Sequence, residues 1–113
     1  MTLFRMDFVA VAVALCSGVT GLARADETGL ADLHEWKKVG KLICFVDHTH
    51  YATSTGAPDK KTATAEAVAS WQSFTDLEYG SDWASFNKAT AKRISCQNLA
   101  RGWSCDVQAR PCR

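Results

Sequence analysis

Residues 94–109 read Ile-Ser-Cys-Gln-Asn-Leu-Ala-Arg-Gly-Trp-Ser-Cys-Asp-Val-Gln-Ala. Two runs of extended character, 94–99 and 103–109, flank Ala100-Arg101-Gly102, and a short glycine-containing connection between such runs predicts a β-hairpin. A symmetric hairpin turning there sets Cys96 opposite Cys105. Upstream, residues 62–78 lack Gly and Pro and carry Ala67, Trp71, Phe74 and Leu77 or Glu78 at three-to-four spacing, which predicts an amphipathic helix. Thr62 or Thr64 is placed to cap its start and Gly80 to end it. A second helical segment is expected to follow, capped by Ser81 or Asp82, with Trp83, Phe86 and Ala89 on one side, so that 62–91 forms one long broken helix. Residues 41–53, Lys-Leu-Ile-Cys-Phe-Val-Asp-His-Thr-His-Tyr-Ala-Thr, are rich in β-branched and aromatic types between Gly40 and the turn-prone 54–59, and read as a strand. The fold class expected is α+β, in β-α-β-β order, with an antiparallel sheet packed on Trp71, Phe74 and Leu77.

The chain opens differently. Arg5 precedes the apolar run 8–15, and Ala23-Arg24-Ala25 stands just before Asp26, the layout of a secretory signal with an A-x-A cleavage site. The run is shorter than the roughly 20 apolar residues a membrane-spanning helix needs, and Asp7 interrupts its front edge. Lipidation at Cys16 is disfavoured by the bulky Leu15. The expected organisation is a cleaved signal peptide over 1–25, a polar N-terminal segment over 26–40 and an α+β domain over 41–113.

Cleavage after residue 25 of 113 leaves 88 residues and four of the five cysteines, Cys44, Cys96, Cys105 and Cys112. A domain this small buries a modest core, and an oxidising compartment supplies covalent staples instead. Four cysteines allow three pairings, and the hairpin favours Cys96–Cys105, leaving Cys44 for Cys112. No C-x-x-C spacing suggests a thiolate metal site. Beyond the signal segment, acids and bases balance, which argues against a strongly basic nucleic-acid binder, although 26–86 hold ten acids against five lysines and 87–113 one acid against six bases.

Two groups of residues offer chemistry. His48 and His50 form a His-x-His pair that a strand would present on one face about 6–7 Å apart, suiting Zn²⁺ or Cu²⁺, with Asp47 on the other face and a third ligand to come from His34 or an acid. The plain alternative is polar residues at the exposed end of a strand. Trp83 and Trp103, with Arg101 and Arg110, would form a binding surface for an anionic ligand if exposed together, and would be core residues if not. No nucleophile elbow, phosphate loop or dinucleotide fingerprint is present, and Asp76, Glu78 and Asp82 read as ordinary solvated acids around a helix end. No cofactor is called for beyond the metal that the histidine pair would take.

The elements Ala63, Ala67 and Trp71, then Tyr79-Gly80, Trp83 and Ala89, then Cys96, Trp103-Ser104-Cys105, Ala109 and Pro111-Cys112-Arg113 resemble a group of small exported proteobacterial proteins of rhizobial type with no assigned function. The resemblance covers about half of the chain beyond residue 25. Members often carry three terminal cysteines, so Cys44 stands outside the shared pattern. It implies an α+β domain outside the cytoplasm and transfers no catalytic residue. The chain is therefore expected to be an exported, non-catalytic accessory or binding module of the periplasm or extracellular space. Its partner would be an envelope protein or an anionic ligand rather than a specific nucleic acid, and no transmembrane segment is expected after cleavage. The alternative is a metal or small-ligand binding protein using His48 and His50; an envelope hydrolase or hydrolase inhibitor is the third reading.

Overall fold

The computed structural model describes residues 27–113, and the expected signal segment lies outside them. In chain order the elements are β1 (Trp36–Val39), β2 (Leu42–Phe45), β3 (His50–Thr53), α1 (Lys60–Tyr79), β4 (Thr90–Leu99) and β5 (Gly102–Arg110), with 3-10 turns at Leu30–Leu33 and Ser81–Trp83. They form an α+β fold in which a two-stranded sheet, β1-β2, and a three-stranded antiparallel sheet, β3-β5-β4, pack against the long helix α1.

The hairpin forms where its sequence places it. Leu99 pairs with Gly102 and Cys96 with Cys105, and the disulfides are Cys96–Cys105 and Cys44–Cys112. Gly102 adopts a positive φ of 112°, and a Cβ there would stand 2.6 Å from the Ala57 carbonyl oxygen. That close approach lets Ala57 and Trp103 exchange two backbone hydrogen bonds, which fasten the loop before α1 to the hairpin.

The expected strand over 41–53 is instead two strands in different sheets. Cys44 and Phe45 are both buried, which one alternating strand achieves only when covered on both faces. Cys44 is tied to Cys112, and residues 111–113 run antiparallel beside β2, with Phe45 N–H donating to Pro111 O. Phe45 turns to the opposite side and stacks on Trp83. The chain then bends through 46–49, held by Val46 N–H donating to Glu35 O, and rejoins the other sheet as β3 against β5. The segment 26–40, read as a polar N-terminal segment, contributes in its described part, 27–40, the first 3-10 turn and β1.

Helix α1 is capped by Asp59, whose carboxylate accepts from Thr62 N–H at 2.7 Å, rather than by Thr62 or Thr64. Its buried residues are Ala63, Ala67, Trp71, Thr75 and Tyr79, a strict i+4 series. Each i+4 step advances about 40° around a helix of 3.6 residues per turn, so the stripe drifts as it descends. Its upper part, Ala63, Ala67 and Trp71, therefore packs with Phe86, Ala89, Val107 and Ala109 on the three-stranded sheet. Tyr79, at its lower end, joins Ala31, Phe45 and Trp83 in a second core. The same drift leaves Phe74 and Leu77 outside, 51% and 80% exposed, contrary to the expected packing face.

The helix stops at Gly80, whose φ of 101° and ψ of 167° are available to glycine alone. The expected second helix over 81–91 is a single 3-10 turn followed by irregular chain. Trp83 must reach one core and Phe86 and Ala89 the other, and a continuous helix would set all three on one side. Lys92 and Arg93 consequently lie on β4, Lys92 within a bulge between Thr90 and Arg93 where Ala91 takes a φ of 52°, and Arg93 at its far end. Among the described residues no helix is long and apolar enough to cross a membrane.

Candidate metal centre

All three histidines of the chain meet at the junction of the two cores. His34 follows the first 3-10 turn, His48 sits in the bend before β3, and His50 is the first residue of β3. Glu78 and Tyr79 close the last turn of α1. The His48 and His50 rings lie 4.8 Å apart at 78°. They are brought together by the bend at 46–49 and not by strand alternation, since only His50 belongs to a strand. Asp47 is exposed.

His50 is held on two sides by the helix. Trp71 Nε1–H donates to its carbonyl oxygen at 3.1 Å, and its Nδ1 lies 3.0 Å from Thr75 Oγ1. Thr75 has one hydroxyl proton and donates it to Trp71 O at 2.7 Å. Its oxygen must then accept from His50, which places the imidazole proton on Nδ1 and leaves Nε2 with a free lone pair. That nitrogen lies 3.2 Å from Glu78 Oε2.

The charge state of His50 decides what this pair is. The residue is 3% exposed, and burial outweighs the attraction of Glu78 to push its pKa down to about 4, with His48 and His34 adding to the depression. At neutral pH the ring is therefore neutral, and the 3.2 Å separation joins two acceptors, which do not hydrogen-bond. His48 is also held below the usual histidine range, first by burial and then by His34. The Nε2 atoms of both residues are fully buried without a hydrogen-bond partner among the described residues. Buried polar atoms left in this state are uncommon and costly.

A divalent cation would satisfy all three groups. One ligand atom from each of His48, His50 and Glu78 lies within 4.8 Å of the others. Donors about 2.0–2.1 Å from a tetrahedral ion stand roughly 3.3–3.4 Å apart, so the His50–Glu78 separation already matches one edge, and His48 would move inward to complete the other two. Thr75 would then act as the supporting acceptor that fixes the tautomer of His50 as a ligand. Around them, Tyr79 stacks on His50 with ring centroids 5.0 Å apart, and its hydroxyl lies 2.9 Å from His34 Nε2. Burial first, and then its hydrogen bond to and the charge of Glu78, raise the Tyr79 pKa well above the ordinary phenol value.

No protein-family description, curated protein or solved structure matches the chain.

The second expected group does not assemble. Trp83 is fully buried between Phe45 and Trp36, with the Arg113 guanidinium over its ring. Trp103 is half-buried against the other core. Arg101 and Arg110 stand at opposite ends of β5, about 30 Å apart at strand rise, so the four residues share no surface. Of the metal centre, the His-x-His pair was legible in sequence, and His34 and an acid were its named candidates for a third ligand. Glu78 and Thr75 gave no signal of their own, being an ordinary helix-end acid and a mid-helix threonine. Following the strict i+4 stripe to Tyr79 would have directed attention to that helix end.

Proposed function

We propose that this chain is an exported, non-catalytic binding module whose ligand is a single divalent cation, Zn²⁺ or Cu²⁺, held by Nε2 of His48, Nε2 of His50 and the carboxylate of Glu78. The observation that carries the reading is the pair of buried, unpartnered imidazole nitrogens, that of His50 standing 3.2 Å from the Glu78 carboxylate, with His50 kept neutral by its burial. The ligand chemistry agrees: neutral imidazole and carboxylate suit Zn²⁺ and Cu²⁺, whereas the thiols of the described residues, which would recruit softer ions, are consumed in disulfides. Two disulfides and the signal-like start of the chain support a place in the periplasm or outside the cell.

Calorimetric titration of the purified, oxidised protein with Zn²⁺ tests the reading. Saturable one-to-one binding is expected, with Glu78→Gln losing more than the roughly 10–100-fold that removal of a supporting group typically costs. Absence of binding at micromolar metal, or equal affinity in Glu78→Gln, would refute it.

A further inference from the structure

Resting on the metal reading above, we infer that the chain fills only three coordination positions of the cation and leaves the fourth for a small monovalent anion from solvent. His34 is the obvious fourth donor, yet its position takes it out of play. Its Nε2 is engaged with the Tyr79 hydroxyl at 2.9 Å, and its ring stacks on His48 with centroids 4.3 Å apart and planes inclined by 27°. An imidazole offers its lone pairs in the plane of its ring, so a ring stacked on His48 offers them in a layer displaced from the one in which His48 meets the ion. His34 thus forms a wall of the site, and Tyr79 is the partner that holds the wall in place. Both cysteine pairs are oxidised, and among the described residues the convergent donor group comprises His48, His50 and Glu78 alone. A tetrahedral ion with three protein ligands takes its fourth from outside.

Two further observations indicate where that ligand enters and what charge it carries. His50 is closed off, but the Glu78 side chain is 33% exposed, and Phe74, whose ring centroid lies 5.0 Å from that of His50, is exposed beside it one helical turn away. The open position is therefore reached along the Glu78–Phe74 edge of α1. Two neutral imidazoles and one carboxylate leave a divalent ion with one uncompensated positive charge in a largely buried setting, a state that an anionic ligand relieves.

The test uses the oxidised protein loaded with Co²⁺, whose visible d–d bands report coordination, titrated with azide. The expected result is a saturable shift of those bands at unchanged cobalt occupancy. Bands that stay fixed throughout the azide titration, while cobalt remains bound, would overturn the open position and leave the metal reading standing. Failure of Co²⁺ and Zn²⁺ alike to bind would overturn both. His34→Phe keeps a stacked ring without donor atoms, so loss of cobalt affinity in a variant that is still folded by circular dichroism would make His34 the fourth ligand and overturn the open position.

Discussion

Thr75→Val is the substitution that separates a metal centre from an accident of packing. Valine matches threonine in shape and keeps the β-branch, so the fully buried site is neither enlarged nor overfilled. What disappears is the hydroxyl whose oxygen accepts from His50 Nδ1–H at 3.0 Å and whose O–H donates to Trp71 O at 2.7 Å. The Trp71 carbonyl stays within the helical ladder of α1, so its loss is small. The Nδ1–H, in contrast, is stranded in a residue that is 3% exposed. An unsatisfied buried donor costs about 1–3 kcal/mol, and the added methyl returns about 0.8 kcal/mol of burial. At the middle of that range the net loss is about 1 kcal/mol, which corresponds to a fall in Tm of roughly 4–8 °C for a domain of this size. His50 has one escape, which is to move its proton to Nε2 and donate to Glu78. That tautomer recovers part of the stability and removes the lone pair that the metal needs, so zinc affinity should fall about 10–100-fold. Thermal unfolding, zinc calorimetry and the ¹⁵N shifts of the His50 ring measure the three quantities together. Thr75→Ser, which keeps the hydroxyl, should restore the tautomer and most of the affinity. A Thr75→Val protein within about 0.5 kcal/mol of the parent, with the same tautomer and the same zinc affinity, would refute the reasoning.

Trp71→Ala should cost about 3–5 kcal/mol by denaturant unfolding, because it empties a fully buried site and strips the His50 carbonyl of its donor, whereas Leu77→Ala, at 80% exposure, should stay within about 0.5 kcal/mol of the parent. Comparable losses at the two positions would contradict the drifting i+4 stripe. On the chain-entropy relation, removal of Cys44–Cys112, with a sequence separation of 68, should destabilise by about 4 kcal/mol and removal of Cys96–Cys105, with a separation of 9, by about 3 kcal/mol, so paired alanine variants should unfold in that order of midpoint. Gly102→Ala places a methyl 2.6 Å from Ala57 O at a φ of 112° and should cost about 1–3 kcal/mol; amide exchange at Ala57 and Trp103 should accelerate, and unchanged exchange would count against the contact.

The parts of this fold that were legible in sequence are those whose causes lie close together along the chain. Residues 94–109 carry their own turn and register, so Cys96 opposite Cys105 followed from one hairpin, and the remaining pair, Cys44–Cys112, followed from that. The glycine that ends α1 and the absence of breakers before it set the helix. The misreadings share one source. Whether 41–53 is one strand or two, whether Phe74 or Thr75 faces inward, and whether Trp83 continues a helix all depend on there being two cores rather than one.

The sequence by itself determined the α+β class, the C-terminal hairpin and the pairing of the cysteines, because turn chemistry and strand register act over fewer than about a dozen residues. Only the tertiary structure decided that His34, His48, His50 and Glu78 meet. They come from a 3-10 turn, a bend, a strand and a helix end, and their convergence depends on the drift of the α1 stripe and on Thr75 reaching His50 from 25 residues away. The chemical character of the site was settled there as well. Burial keeps the His50 ring neutral, and burial is a property of the packed molecule that no local stretch of residues possesses.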